Sequence, residues 1–77
     1  MDRVHAIERD FGLCPNAYYT GQYATTSTLA DAGIESDEAE WWALDDGEDA
    51  ERVWLIRTGH QWRVATDQEY IAIFEHL

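Results

Sequence analysis

The chain has 77 residues, with sixteen acids against five Arg and no Lys, giving a formal net charge of -11. That length makes one domain, 1–77, near the lower limit for folding on its own core. An apolar content of 45%, with four Trp, four Tyr and two Phe, excludes a disordered acidic tail, and the sign of the charge argues against direct nucleic-acid binding or docking on anionic membranes.

Asp2 to Phe11 reads as a short amphipathic helix, with Val4, Ile7 and Phe11 recurring at three- and four-residue spacing. Gly12 ends it, and Cys14-Pro15-Asn16 forms a loop because the residue before Pro avoids helical geometry. In residues 17–34, Tyr18, Tyr19 and Tyr23 with Thr20, Thr25 and Thr26 suit a strand. Ser27 to Gly33 suits a short helix with a Gly stop, and a helix over part of this stretch is the preferred reading. Glu40-Trp41-Trp42-Ala43-Leu44 reads as a strand, although a helix starting at Ser36 would place Asp37 and Glu38 in its first turn.

The segment from Glu51 to Arg57 is β-rich, Thr58-Gly59-His60 supplies turn chemistry, and Gln61 to Ala65 alternates, so the two runs form a hairpin. Thr66 and Glu69 have capping-box spacing, and Tyr70, Ile73, Phe74 and Leu77 form the apolar stripe of a last helix, widened by Ile71. The expected fold is α+β: a small antiparallel meander of about three strands, with N-terminal and C-terminal helices packed on it. Trp54 and Trp62 are expected in the core. Trp41 and Trp42, being adjacent, must point to opposite sheet faces, one towards the core and one outward.

Chemistry is sparse. His5, His60 and His76 stand apart, with no His pair at helical ligand spacing. The oxygen-rich loop from Asp45 to Glu51 fails the EF-hand register, since placing Gly47 sixth puts Trp42 first. No metal and no cofactor is expected. Cys14 reads as a small, partly buried apolar side chain in preference to a nucleophile, and it cannot form an intramolecular disulfide. The first residues lack an apolar signal core, no apolar run reaches membrane-spanning length, and a soluble cytoplasmic monomer is expected. No catalytic signature is present, and an enzyme is not expected.

The informative segment is acidic. Between Asp31 and Glu51 lie ten carboxylates and no basic residue: Asp31, Glu35, Asp37, Glu38, Glu40, Asp45, Asp46, Glu48, Asp49 and Glu51. Concentrated charge of one sign attracts cationic partners over a distance. Along a strand, i and i+2 side chains share a face about 6.6 Å apart, comparable to successive phosphates. Glu38 with Glu40, Asp46 with Glu48, and Asp49 with Glu51 have that spacing wherever the backbone is extended. Trp beside carboxylates adds an anchor and a stacking surface for Arg. The expected partner-binding set is Glu35, Asp37, Glu38, Glu40, Trp41, Asp45, Asp46, Glu48, Asp49 and Glu51.

In size, charge and aromatic-rich α+β pattern, with its ten-acid segment, the Trp41-Trp42 pair and the hairpin ERVWLIRTGHQWRVA, the chain resembles small acidic inhibitors encoded by phages and mobile elements. These include anti-CRISPR proteins and other DNA mimics, which share no common motif. The resemblance implies a stoichiometric blocker in a bacterial host, bound to the Lys/Arg-rich DNA- or PAM-recognition surface of a nucleic-acid-binding protein or effector complex. Two other readings stand beside it: an accessory or antitoxin-like interaction module, and a salt-adapted domain whose acids serve solubility.

Overall fold

In the computed structural model, which describes residues 2–77, a four-stranded antiparallel sheet with strands in sequence order carries helices on both faces. The elements are α1 (Arg3–Phe11), β1 (Tyr18–Ala24), α2 (Thr26–Asp31), β2 (Glu38–Ala43), β3 (Arg52–Thr58), β4 (Gln61–Val64) and α3 (Asp67–Glu75). The α+β arrangement matches the sequence expectation, with β1 as a fourth strand.

The central strand β3 explains the two-sided packing. Its residues Val53, Trp54, Leu55 and Ile56 are all buried, with no apolar–polar alternation, as in strands covered on both sides. Trp54 and Ile56 join Ala24, Leu29, Ile34, Ala39 and Ile73 in one core, beneath α2 and α3. Val53 and Leu55 join Ala6, Ile7, Leu44 and Trp62 in the other, beneath α1. Trp54 and Trp62 are therefore core residues, as expected, but on opposite faces.

Each helix is delimited by its own chemistry. Asp2 caps α1 by accepting from the His5 backbone N–H at 2.9 Å, and this bond, with His5 nearby, lowers the Asp2 pKa. Gly12 ends the helix at a φ of 81° and donates to Glu8 O. Of the stripe that the spacing predicts, Ile7 turns inward, joined by Ala6, while Val4 and Phe11 do not. Ala6 and Ile7 are buried while Val4 is 55% exposed, because Arg3, one turn before Ile7, is drawn to the sheet by Glu40.

In α2, Gly33 N–H donates to Ala30 O and Ile34 N–H to Leu29 O, a Schellman stop that also brings Ile34 against Leu29 in the core. The predicted capping box of α3 is present in both directions between Thr66 and Glu69. Arg63 adds a two-pronged pair to the same Glu69 carboxylate at 2.6 and 2.7 Å. Of the predicted α3 stripe, Ile73 is fully buried, and the Tyr70 and Phe74 rings lie against Trp41 at centroid distances of 5.5 and 4.9 Å.

The hairpin β3–β4 turns through Gly59 at a φ of 64° followed by His60, the glycine-first pattern of a tight II′ turn. At the far edge, β1 is bulged. Tyr19 pairs with Trp42 and Tyr23 with Glu40, so Thr20, Gly21 and Gln22 together face Trp41 alone. Gly21 takes a φ of 91° there, and Thr20 Oγ1 donates to Trp41 O at 2.6 Å.

Candidate functional site

The ten-acid segment does not form a single patch. β2 runs between its two halves, so the Glu35–Glu38 end and the Asp45–Glu51 loop are separated by roughly 20 Å at about 3.3 Å per strand residue. Asp31 closes α2, on the face opposite α1. The two ends differ in how their charge is used.

At the first end the acids are part of the scaffold. Arg57, on β3 directly opposite Glu38, bonds Glu38 Oε1 at 3.0 Å and Asp37 Oδ2 at 3.3 Å. Asp37 Oδ2 also accepts from Gly59 N–H at 2.7 Å, tying this end to the β3–β4 turn. Glu35 is exposed beside a shallow groove between α2 and Thr58.

Glu40 departs furthest from the expected free surface acid. It is only 8% exposed, with Arg3 Nε 2.5 Å from Oε1 and Arg3 Nη2 3.3 Å from Oε2. Trp42 Nε1 donates to the same Oε1 at 3.1 Å. The Arg3 guanidinium lies 4.4 Å over the Trp62 ring, and the contact with Glu40 raises the Arg3 pKa. Glu38 and Glu40 do share a face, as their i, i+2 spacing requires, but each carboxylate is occupied by an arginine of this chain. The same alternation puts Trp42, not Trp41, beside the carboxylates. Trp41 belongs to an aromatic cluster with Trp54, Tyr70 and Phe74 on the other face. Since helices cover both faces, each tryptophan is half-buried against a core, so neither is the outward residue expected of the pair.

The second end keeps its charge outward. Asp45, Asp46, Glu48 and Asp49 are exposed on the β2–β3 connection, and Glu51 is exposed just before β3. The backbone here bends and turns, so Asp46/Glu48 and Asp49/Glu51 lack the extended geometry that strand-like spacing assumes. Among the described residues, these five carboxylates enter none of the ion pairs formed by Arg3, Arg57 and Arg63.

The loop is nevertheless held in place. Leu44 N–H donates to Glu51 O at 2.8 Å across its base, and Leu44 is buried in the core under α1. Asn16 Nδ2 and the Asp46 N–H both donate to Asp45 Oδ1, at 3.1 and 2.8 Å. Arg52 Nη1 donates to Ala50 O at 3.3 Å, a further tie between the loop and the start of β3. The result is a fixed tip with five carboxylates in seven residues.

Sequence reasoning missed the role of Arg3. A lone Arg in the first turn of a helix carries no mark of its partner, 37 residues away. The low exposure of Glu40 carried no local mark either, because its neighbours Ala39 and Trp41 point to the opposite sheet face. Among the described residues no group of three or more His, Cys, Asp or Glu is arranged to hold a metal ion, and no helix is long and apolar enough to cross a membrane. Comparison with protein-family models, curated proteins and solved structures gives no match.

Proposed function

We propose that this domain is a non-catalytic binder of a cationic protein surface, using the β2–β3 loop as a substitute for nucleic-acid phosphates. The observation that carries the reading is the contrast between the two acidic ends: at the first, Glu40 is held by Arg3 while Glu38 and Asp37 share Arg57, whereas the loop's five carboxylates stay exposed on an anchored turn, outside those ion pairs. A pre-formed cluster of like charge is unfavourable for the isolated domain, and a Lys/Arg groove would relieve that repulsion. Inhibition follows by occupancy: a nucleic-acid-binding protein or effector complex holding the acidic tip cannot hold its polynucleotide there. An anti-CRISPR blocking DNA or PAM recognition is the specific form that the sequence resemblance implies. The partner-binding residues of this reading are Asp45, Asp46, Glu48, Asp49 and Glu51.

The test is charge reversal within the loop, Asp46→Lys with Glu48→Lys, followed by capture of cationic nucleic-acid-binding proteins from host lysate over a salt series. Intact protein should release its partner steeply as salt rises, and the reversed protein should fail to capture it while keeping the same circular-dichroism spectrum. Capture that survives the reversal, or that is indifferent to salt, would remove the reading.

A further inference from the structure

We infer that the part of the sheet face left open beside α1 is a docking surface for an arginine-bearing segment of the partner, with Tyr19, Tyr23 and Trp42 as its stacking platforms. This rests on the proposal that the partner is cationic, and it adds where and by what chemistry a second contact forms.

Strand alternation assembles the surface. Tyr19 lies opposite Trp42 and Tyr23 opposite Glu40, so both tyrosines share the face that carries Glu38, Glu40 and Trp42. On this face α1 packs over the β4 side, where Ala6 and Ile7 meet Val53, Leu55 and Trp62. The β1–β2 side has less cover: Tyr19 is 40% and Tyr23 58% exposed. Between them and the start of α1 lies a depression of about 310 Å³ lined by Asp2, Arg3, Val4, Tyr19, Glu40 and Trp42.

Two of the three platforms, Trp42 and Tyr19, are set in advance, Trp42 being half-buried against the core under α1. Trp42 is held by its indole N–H bond to Glu40, and its ring centroid is 6.1 Å from that of Tyr19 at a tilt of 32°. Aromatic side chains fixed in this way provide contact area with little entropy left to lose on binding.

Charge selects the occupant. Arg57 is divided between Glu38 on this face and Asp37, which lines the groove beside α2, so Glu38 is a carboxylate only partly neutralised here. Asp2 adds another at the rim. Burial, and then the negative charge of Glu40, push the Tyr19 phenol above its ordinary value. A second copy of this chain is disfavoured by the net charge of -11. Addition of a flat strand to β1 is disfavoured by the bulge at Thr20-Gly21-Gln22.

Arginine fits better than lysine because its planar guanidinium stacks on a ring while its N–H groups fork a carboxylate. The chain already contains that geometry on the same face: Arg3 lies over Trp62 and contacts both oxygens of Glu40.

The experiment compares a Gly-Arg repeat peptide with a Gly-Lys repeat peptide of equal length, titrated into the full chain by tryptophan fluorescence and amide chemical shifts. The intact protein should prefer the arginine peptide about twofold, the low end of exposed cation–π stacking because lysine retains part of it, with shifts at Tyr19, Tyr23 and Trp42. Tyr23→Ala, at an exposed position, and the pair Tyr19→Ala with Tyr23→Ala should bring the two affinities together. Reversal of Asp46 and Glu48 should weaken both peptides equally and leave their ratio unchanged. Equal affinity in the intact protein, shifts confined to residues 45–51, or self-association that Tyr23→Ala abolishes would each overturn the inference. Failure of the loop reading is separate: there, loop reversal would leave both affinities where they were.

Discussion

Removing the Glu40 carboxylate gives the sharpest test of how this small domain holds its first helix. Glu40→Ala deletes two bonds to Arg3 and one from Trp42 Nε1, at a site 8% exposed. Hydrogen bonds to charged groups contribute about 1.5–3 kcal/mol, but the Arg3 side chain is 42% exposed and regains water when released, so the fork is taken at about 1–2 kcal/mol. Loss of the buried methylene adds about 0.8 kcal/mol. The expected cost is therefore about 2–3 kcal/mol, a large share of the roughly 4–12 kcal/mol available to a domain of this size. The midpoint of thermal unfolding should fall by on the order of 10–20 °C. Urea unfolding followed by tryptophan fluorescence would measure the change, in a cycle with Arg3→Ala and the double variant. We expect a coupling energy of about 1 kcal/mol between the two sites. A coupling below about 0.3 kcal/mol, with unchanged denaturant slopes, would refute the view that this pair anchors α1 to the sheet.

Two further outcomes follow from the geometry. Arg63, foremost, and the Thr66 backbone N–H hold the Glu69 carboxyl at about 2, below its ordinary 4.5. Because the folded value is depressed, the stabilisation is complete above about pH 4.5 and is lost as pH falls towards 2. The full gap would correspond to about 3 kcal/mol, reduced to about 1–2 kcal/mol because Arg63 is 42% exposed. Glu69→Gln should flatten the stability profile across that window, and an unaltered acid limb in the variant would show that other carboxylates govern it. Gly59→Ala places a side chain at a φ of 64° and should cost about 1 kcal/mol, read as a lower urea midpoint. An unchanged midpoint would mean that the turn adjusts without strain.

Local chemistry made most elements legible. The Thr66–Glu69 box, the Gly12 and Gly33 helix stops and the Gly59 turn act over a few residues, so their spacing alone predicts them. The unbroken apolar run Val53 to Ile56 likewise carries the mark of a strand covered on both sides. The β1 strand was harder to read. Its Tyr18, Tyr19 and Tyr23 suit a strand, but the bulge at Gly21 breaks the two-residue period that would identify it. The inward stripe of α1 was legible only in part, because an arginine takes an inward position and Val4 an outward one.

For the acidic segment, sequence alone determined that ten carboxylates lie together along the chain without a basic residue among them. Tertiary structure decided which of them are free. Arg3 and Arg57 reach Glu40, Glu38 and Asp37 from 37, 19 and 20 residues away, distances over which spacing carries no information about pairing. Strand alternation then decided that Trp42 stands beside those carboxylates and Trp41 beneath α3, because the face each presents follows from the register with β3. Charge content is a property of the chain. Charge availability depends on which side chains the fold brings within reach.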